Sequence, residues 1–235
     1  MKIITAYATK NDCYKANKKM TPKGIVVHST GANNKKLSRY VDAPAQVGVN
    51  KYGNHWNRSG VSKCVHSFIG LDINGEVAVA NILPYTTMPW GCGKGSKGSY
   101  NNSHIQFEVC EDSLTDKAYF DKAFATAIDY CVYLCKQYGL TEKDIVSHYE
   151  AHKLGYASNH GDCDSWLKKF GKDMNWFRAE VAKKLNEPKT ATVTGTYLYK
   201  VQVGAYSKIE NAEKQLAKVK AAGFTDAYIT KVVRK

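Results

Sequence analysis

The feature that most constrains this chain is a change of hydrophobic period between residues 105 and 146. Residues 105–110, Ile-Gln-Phe-Glu-Val-Cys, read as a strand. From Asp116 to Tyr138 apolar residues recur at Phe120, Phe124, Ala127, Ile128, Cys131 and Cys135, the spacing of one helix face, and Gly139 closes the run. Residues 141–146 then lead into His148. Upstream, residues 23–28 carry the β-branched run of a buried strand, and residues 65–71 and 76–80 pair as a hairpin around Asn74-Gly75. Downstream, residues 174–185 form a basic amphipathic stretch with Trp176, Phe177, Val181 and Leu185 on one face. Strands interspersed with helices predict a mixed α/β domain.

A chain of 235 residues has room for one ordinary domain and a small appendage. The domain is expected over residues 1–185, a Pro-, Thr- and Gly-containing linker over 186–196, and a second unit over 197–235. In that unit Tyr199, Val201 and Val203 alternate with polar residues as in a half-buried strand. Ser207 and Glu210 suggest a capping box opening a helix whose stripe is Ile209, Ala212, Leu216 and Val219, with Gly223 after it. Residues 227–233 supply a second strand. One β-α-β unit of this size cannot cover its own sheet, so pairing of two copies into a homodimer is expected.

The net charge of +13 is spread along the chain, which favours encounter with polyanions, whether nucleic acid, anionic lipid or anionic wall polymers. Charge alone prompts a nucleic-acid reading, but no reading module is recognisable, so no nucleic-acid partner is expected. The seven cysteines are odd in number and form no CxxC, which predicts reduced thiols in a protein made in the cytosol. The N-terminal apolar stretch is too short for a signal peptide, and no run reaches the roughly 18 apolar residues of a membrane span. The glycine-rich residues 91–99 read as a flexible loop; they lack the ending and following helix of a phosphate-binding loop.

Chemistry-bearing residues sit where the apolar runs end. His28 closes the first strand, Glu108 interrupts residues 105–110, His148 follows Ile145-Val146-Ser147, and His160-Gly161-Asp162 comes later. Two histidines and a carboxylate from separate elements suit a three-ligand zinc site with an open fourth position, and a nearby glutamate suits a proton carrier. Carboxylates are almost never buried unpaired, so Glu108 calls for a functional reason. Cys131 and Cys135 fit core packing.

Taken in order, Gly24-Ile25-Val26-Val27-His28-Ser29-Thr30, His66-Ser67-Phe68-Ile69-Gly70, residues 102–110 and Ser147-His148 resemble the type 2 N-acetylmuramoyl-L-alanine amidases. That family includes relatives of the peptidoglycan recognition proteins and several phage endolysins. The resemblance covers about residues 20–180 and implies a central mixed β-sheet flanked by helices, with zinc at one sheet edge. It implies His28 and His148 as histidine ligands and an Asp or Cys as the third, preceded two positions earlier by a lysine in many members. Asp162 fits with His160 in the lysine position, where its charge can serve an oxyanion; Cys163 and Asp164 are rivals that put Gly161 or Asp162 there. The implied reaction is hydrolysis of the amide between N-acetylmuramic acid and L-alanine of bacterial peptidoglycan. Zn2+ would activate carbonyl and water, Glu108 would move the proton, and His160 would stabilise the oxyanion.

His66, Trp90 and Tyr100 are candidate substrate contacts, while strand parity leaves His104 undecided. Glu150 and His152 are expected to be structural or solvent-facing. Residues 199–207 resemble the opening of a SPOR-type peptidoglycan-binding domain, of which the chain shows half. The expected role is a phage or prophage endolysin, made in the cytoplasm and released by a holin to act on the wall. The alternative is a non-catalytic peptidoglycan-binding protein of the same fold.

Overall fold

The Val- and Ile-rich runs form the middle of a six-stranded sheet. The computed structural model describes residues 1–187 and 201–231. Its strands are β1 (Ile3–Thr5), β2 (Gly24–Ser29), β3 (Ser67–Leu71), β4 (Val77–Asn81), β5 (His104–Val109) and β6 (Ile145–Ser147), in the order β1-β4-β3-β5-β2-β6. Only β3 and β4 pair antiparallel; the other four neighbouring pairs are parallel. The helices are α1 (Asp12–Ala16), α2 (Pro44–Val47), α3 (Lys117–Tyr138), α4 (His148–Lys153), α5 (Asp162–Lys169), α6 (Met174–Asn186) and α7 (Ile209–Ala221). The expected mixed sheet with flanking helices is what the chain forms.

Alternation along the strands divides the core between the two faces of the sheet. Ile25, Val27, Ile105, Phe107 and Val109 point to one face, where α3 lays down Phe120, Phe124, Ala127 and Cys131 and where Trp166 and Phe177 also pack. Phe68, Ala78 and Ala80 point to the other, against Ile4, Leu37, Tyr40 and Val41. Cys131 and Cys135 are packing residues in the first of these cores. Residues 26, 28, 106 and 108 share the parity of the second face, so the polar side chains of β2 and β5 never compete with the α3 core.

Local signals start and stop the helices. Asp116 caps α3 by accepting from the Tyr119 N–H, and Gly139 ends it in the left-handed conformation. Ser147 and Glu150 close a capping box that starts α4 at His148 immediately after β6. Glu150 also takes a bidentate bond from Arg178 at 2.7 and 2.9 Å, which ties α4 to α6. His152 is tied to the loop after α4, its Nδ1 3.2 Å from the Ala157 carbonyl oxygen. Both are structural.

The expectation of reduced thiols throughout is corrected at one pair. Cys13 and Cys64 form a disulfide across 51 residues, and Leu83, Tyr14 and Trp90 pack around it. The two cysteines come from a short helix and an irregular segment, so no periodicity announces them. Cys92, Cys110, Cys131, Cys135 and Cys163 are free and buried.

The chain divides into two units, Met1–Glu187 and Pro188–Lys235. In the second, α7 forms as its stripe predicts, with Gly223 following in a positive-φ conformation. The expected capping box is not made. The cap is Lys208, one residue beyond Ser207, so Glu210 falls at the second rather than the third helical position. Residues 201–203 and 227–231 carry no strand pairing; Tyr199, Lys200 and residues 232–233 of the expected strands lie outside the described residues. Two strands of a few residues without further neighbours gain little from pairing. Among the described residues, no helix is long and apolar enough to cross a membrane.

Candidate metal and catalytic centre

The parallel pairing of β2 with β5 and β6 brings three carboxyl-terminal strand ends to one edge, the place where open α/β sheets present their sites. His28 and Glu108 are direct partners in the β2–β5 register. His148 enters from the first turn of α4. Asp162 opens α5, where the helix amino-terminus favours an acidic residue. Asp162 Oδ2 lies 2.9 Å from His28 Nδ1 and 2.8 Å from His148 Nδ1, and the two Nδ1 atoms are 3.1 Å apart. Three potential ligand atoms thus converge in one small triangle.

The electrostatics follow from burial. Burial holds the His28 imidazole below its ordinary pKa despite the neighbouring carboxylate. Burial works against the Asp162 carboxylate too, but the bonds from His148 and His28 outweigh it and hold its pKa well below the usual range. Glu108 goes the other way. Burial, then the charges of Asp162 and Glu111, push its pKa well above normal, and its Oε2 has no hydrogen-bond partner among the described residues. An uncommitted buried carboxyl oxygen beside a ligand triangle is what a proton carrier needs.

The rivals for the third ligand position face elsewhere. Cys163 is fully buried and its Sγ lies 3.6 Å from the Val27 carbonyl oxygen. Asp164 stays out of the triangle; its Oδ2 lies 4.0 Å from Cys163 Sγ. His160 stands at the mouth of the triangle, largely exposed, its ring stacked on His148 at 4.8 Å and its Nδ1 3.7 Å from Asp162 Oδ1.

His66 does not line the site. It is fully buried, its Nδ1 accepts from the Gln106 N–H at 3.0 Å, and its Nε2 lies 3.0 Å from the Thr87 carbonyl oxygen. Both ring nitrogens are spent on backbone, and burial pushes the pKa down to about 4, so the ring is a neutral structural bridge. His104 is likewise outside the site; it stacks on Tyr100 at 3.8 Å and bonds Ser103. Tyr100 stacks also on Tyr156, and half-buried Trp90 packs by the disulfide, so both aromatics have structural partners already.

The glycine-rich segment is pinned rather than loose. Lys97 N–H donates to the Gly155 carbonyl, Tyr100 N–H to Tyr156 and Ser158 N–H to Cys92. A Cβ on Gly95 would sit 2.3 Å from the Gly155 carbonyl oxygen, so this glycine permits close backbone approach. Sequence reasoning missed Glu111, buried and accepting from Ser29 Oγ at 2.5 Å, buried Gln106, whose Nε2 donates to Asn101 Oδ1, and Ser158, whose Oγ lies 3.3 Å from His148 Nε2. Gln106 was within reach of strand parity, since it alternates with Glu108; Ser158 carries no such signal.

Fold and site together define an α/β protein with a histidine–histidine–carboxylate centre at the carboxyl edge of its sheet. The sequence matches the N-acetylmuramoyl-L-alanine amidase family over residues 18–163 and the SPOR domain over residues 172–234. The chain belongs to the N-acetylmuramoyl-L-alanine amidase family.

Solved structures with the same fold include Staphylococcus aureus hydrolase AmiA in complex with its ligand. It is 22% identical with a TM-score of 0.56, over 79% of this chain and 83% of that one. A mutant endolysin from Bacillus subtilis is 22% identical with a TM-score of 0.54, over 77% and 99% of the two chains. The catalytic domain of XlyA is 20% identical with a TM-score of 0.55, over 77% and 99%. No curated protein matches the chain. The SPOR match begins well before the expected residue 197 and takes in α6, whose Phe177 and Val181 are buried in the core of the first unit.

Proposed function

We propose that the protein is a zinc-dependent peptidoglycan hydrolase of endolysin type, cleaving the amide between N-acetylmuramic acid and the L-alanine of the stem peptide. The observation that carries this reading is the convergence of His28, His148 and Asp162 beside an uncommitted Glu108. The donor set fits zinc. Bonds of about 2.0–2.1 Å in a tetrahedral site put ligand atoms roughly 3.3 Å apart, close to the spacing of this triangle. Zinc, when bound, supplies Lewis acidity to the scissile carbonyl and lowers the pKa of water toward about 7.

The chain's own residues do the rest. Glu108, its pKa raised by burial, takes the proton of the attacking water at a carboxylate oxygen and returns it to the leaving amine. His160, exposed at the mouth, donates to the developing oxyanion. The basic charge draws the protein toward anionic wall polymers, and the SPOR match supports a wall-binding role for the C-terminal unit, completed by a second copy. Release by a holin would bring a protein made in the cytoplasm to its substrate.

The test is mass analysis of digested peptidoglycan together with metal content. New L-alanine amino termini and about one zinc per chain are expected. Glu108→Gln should keep the zinc and lose about 100-fold or more of turnover. Near-normal activity in that variant would remove Glu108 from the mechanism, and wall binding without cleavage by the wild type would make the protein a receptor.

A further inference from the structure

Residues 54–64 form neither helix nor strand, yet they are fastened firmly to the start of α1. Buried Asn11 donates from Nδ2 to the Trp56 and Lys63 carbonyl oxygens at 3.0 and 3.1 Å. The Asp12 N–H donates to the Val61 carbonyl oxygen, and Asp12 Oδ1 accepts from the Gly60 N–H at 3.1 Å. The Cys13–Cys64 disulfide closes the segment against α1. The Trp56 ring stands at right angles to that of Phe68, centroids 4.8 Å apart. Phe68 is the register partner of Glu108, so the segment flanks the sheet face that carries the centre.

The segment walls a cavity of about 300 Å³ with Arg39, Asn54, Trp56, Arg58 and Lys63 in its lining, so three cations share one space. Arg39 donates to the Asn54 carbonyl oxygen at 2.7 Å and Arg58 to that of His55 at 2.8 Å. Lys63 Nζ stands 5.4 Å over the Trp56 ring. None of these cations is ion-paired among the described residues. The neighbouring carboxylates are engaged elsewhere, Asp42 with His55 and Asn57 and Asp12 with Gly60. Like charges gathered without a counter-charge repel, so the arrangement adds nothing to the fold. The remaining donors of each arginine fork match the oxygens of a phosphate. One carboxylate, such as a stem peptide ends in, leaves most of this charge unneutralised. A phosphodiester chain, with a charge on every unit, answers all of it, and the Trp56 face suits its polyol or sugar units.

We infer that this cavity is a binding site for a phosphodiester-linked wall polymer, with Arg39, Arg58 and Lys63 as its phosphate contacts and Trp56 as its platform. The site works without a metal; only the placing of the polymer in the wall rests on the peptidoglycan reading. The rigid backing from α1 presets the cations, so binding loses little chain freedom. Capture on the sheet face that carries the centre holds the protein at its substrate.

The experiment titrates the full chain with poly(glycerol phosphate) by calorimetry at several salt concentrations. Arg58→Gln and Lys63→Gln should each weaken binding about 5–10-fold and lower the salt slope by about one. Both side chains are exposed, so the melting temperatures should match that of the wild type. Lys169→Gln, exposed at the end of α5 on the other face of the sheet, should change the affinity less than about 2-fold. Equal losses in all three variants would reduce the attraction to diffuse charge and overturn the inference. So would poly-L-glutamate bound as tightly through the same residues, or inorganic phosphate bound as tightly as the polymer. Binding without cleavage of peptidoglycan sinks the functional reading alone, and cleavage without such binding sinks this inference alone.

Discussion

The helices α3 and α7 have equally legible apolar faces and opposite fates. α3 buries ten residues, among them Phe120, Phe124 and Leu134, against the sheet and its neighbouring helices. α7 buries none; Ala212, Leu216 and Val219 are half-buried and Ile209 is exposed. A hydrophobic period shows that a helix has a face, but covering the face takes an opposing surface. In the first unit six strands supply it. In the second, the described parts of the segments expected as strands form no sheet, and none of the residues of α7 is fully buried. Chemistry follows the same division: the buried polar groups of the centre sit where the six-stranded sheet can hold them.

The sharpest way to break this contrast is to hollow the covered side. Trp166 is fully buried among Tyr119, Phe120 and Phe124, with ring centroids 5.2–6.1 Å away. Trp166→Ala should cost about 3–5 kcal/mol, read from urea unfolding of the full chain. A cost below about 1 kcal/mol would mean that this core is far looser than its contacts imply.

The disulfide gives the next largest effect. Closing a loop of 51 residues removes denatured-state entropy worth about 4 kcal/mol in the chain-entropy account. The double variant Cys13→Ser, Cys64→Ser should lose that much against the oxidised protein and become insensitive to reductant. Equal stability of wild type with and without reductant would deny the bridge a structural role.

That bridge also marks where the sequence stopped being legible. The strands of the sheet and α3 are written in period and caps, and residues 24–29 and 104–109 announced His28 and Glu108 by placing polar groups in apolar runs. β1 has only three residues, too few for a period, and Cys13 and Cys64 lie in irregular surroundings. Asp162 could be preferred over Cys163 and Asp164 only by a charge argument, because all three follow the same loop. Three-dimensional placement separates them: Cys163 turns to Val27 and Asp164 stays outside the triangle, while Asp162 meets both histidines. His66 misled for the converse reason. A histidine at the start of a strand looks the same in sequence whether its nitrogens meet a substrate or a backbone.

His66 supplies the pH test of the covered unit. Its folded pKa of about 4 lies below the ordinary value near 6.5, so the unfolded chain binds the proton more readily. Stability is therefore complete above pH 6.5 and is lost as pH falls toward 4, by at most about 3 kcal/mol from this group. His66→Gln should be less stable at neutral pH but lose less between pH 6.5 and 4 than wild type. Parallel slopes for the two proteins would place the acid sensitivity elsewhere.

The smallest effect is expected in α7, and it bears most directly on the contrast. Leu216 is the centre of the α7 stripe, only half-buried. Leu216→Ala replaces one good helix former by another and empties no packed cavity. Its cost in dilute solution should stay within about 0.5 kcal/mol, an order of magnitude below Trp166→Ala. Unfolding followed at several protein concentrations makes the measurement discriminating. A second copy laid over the stripe would bury Leu216, so the loss on truncation would grow with concentration and sedimentation would show the dimer weakening. A loss above about 1 kcal/mol that does not depend on concentration would instead mean that the same chain covers the stripe, and the two helices would no longer differ in kind.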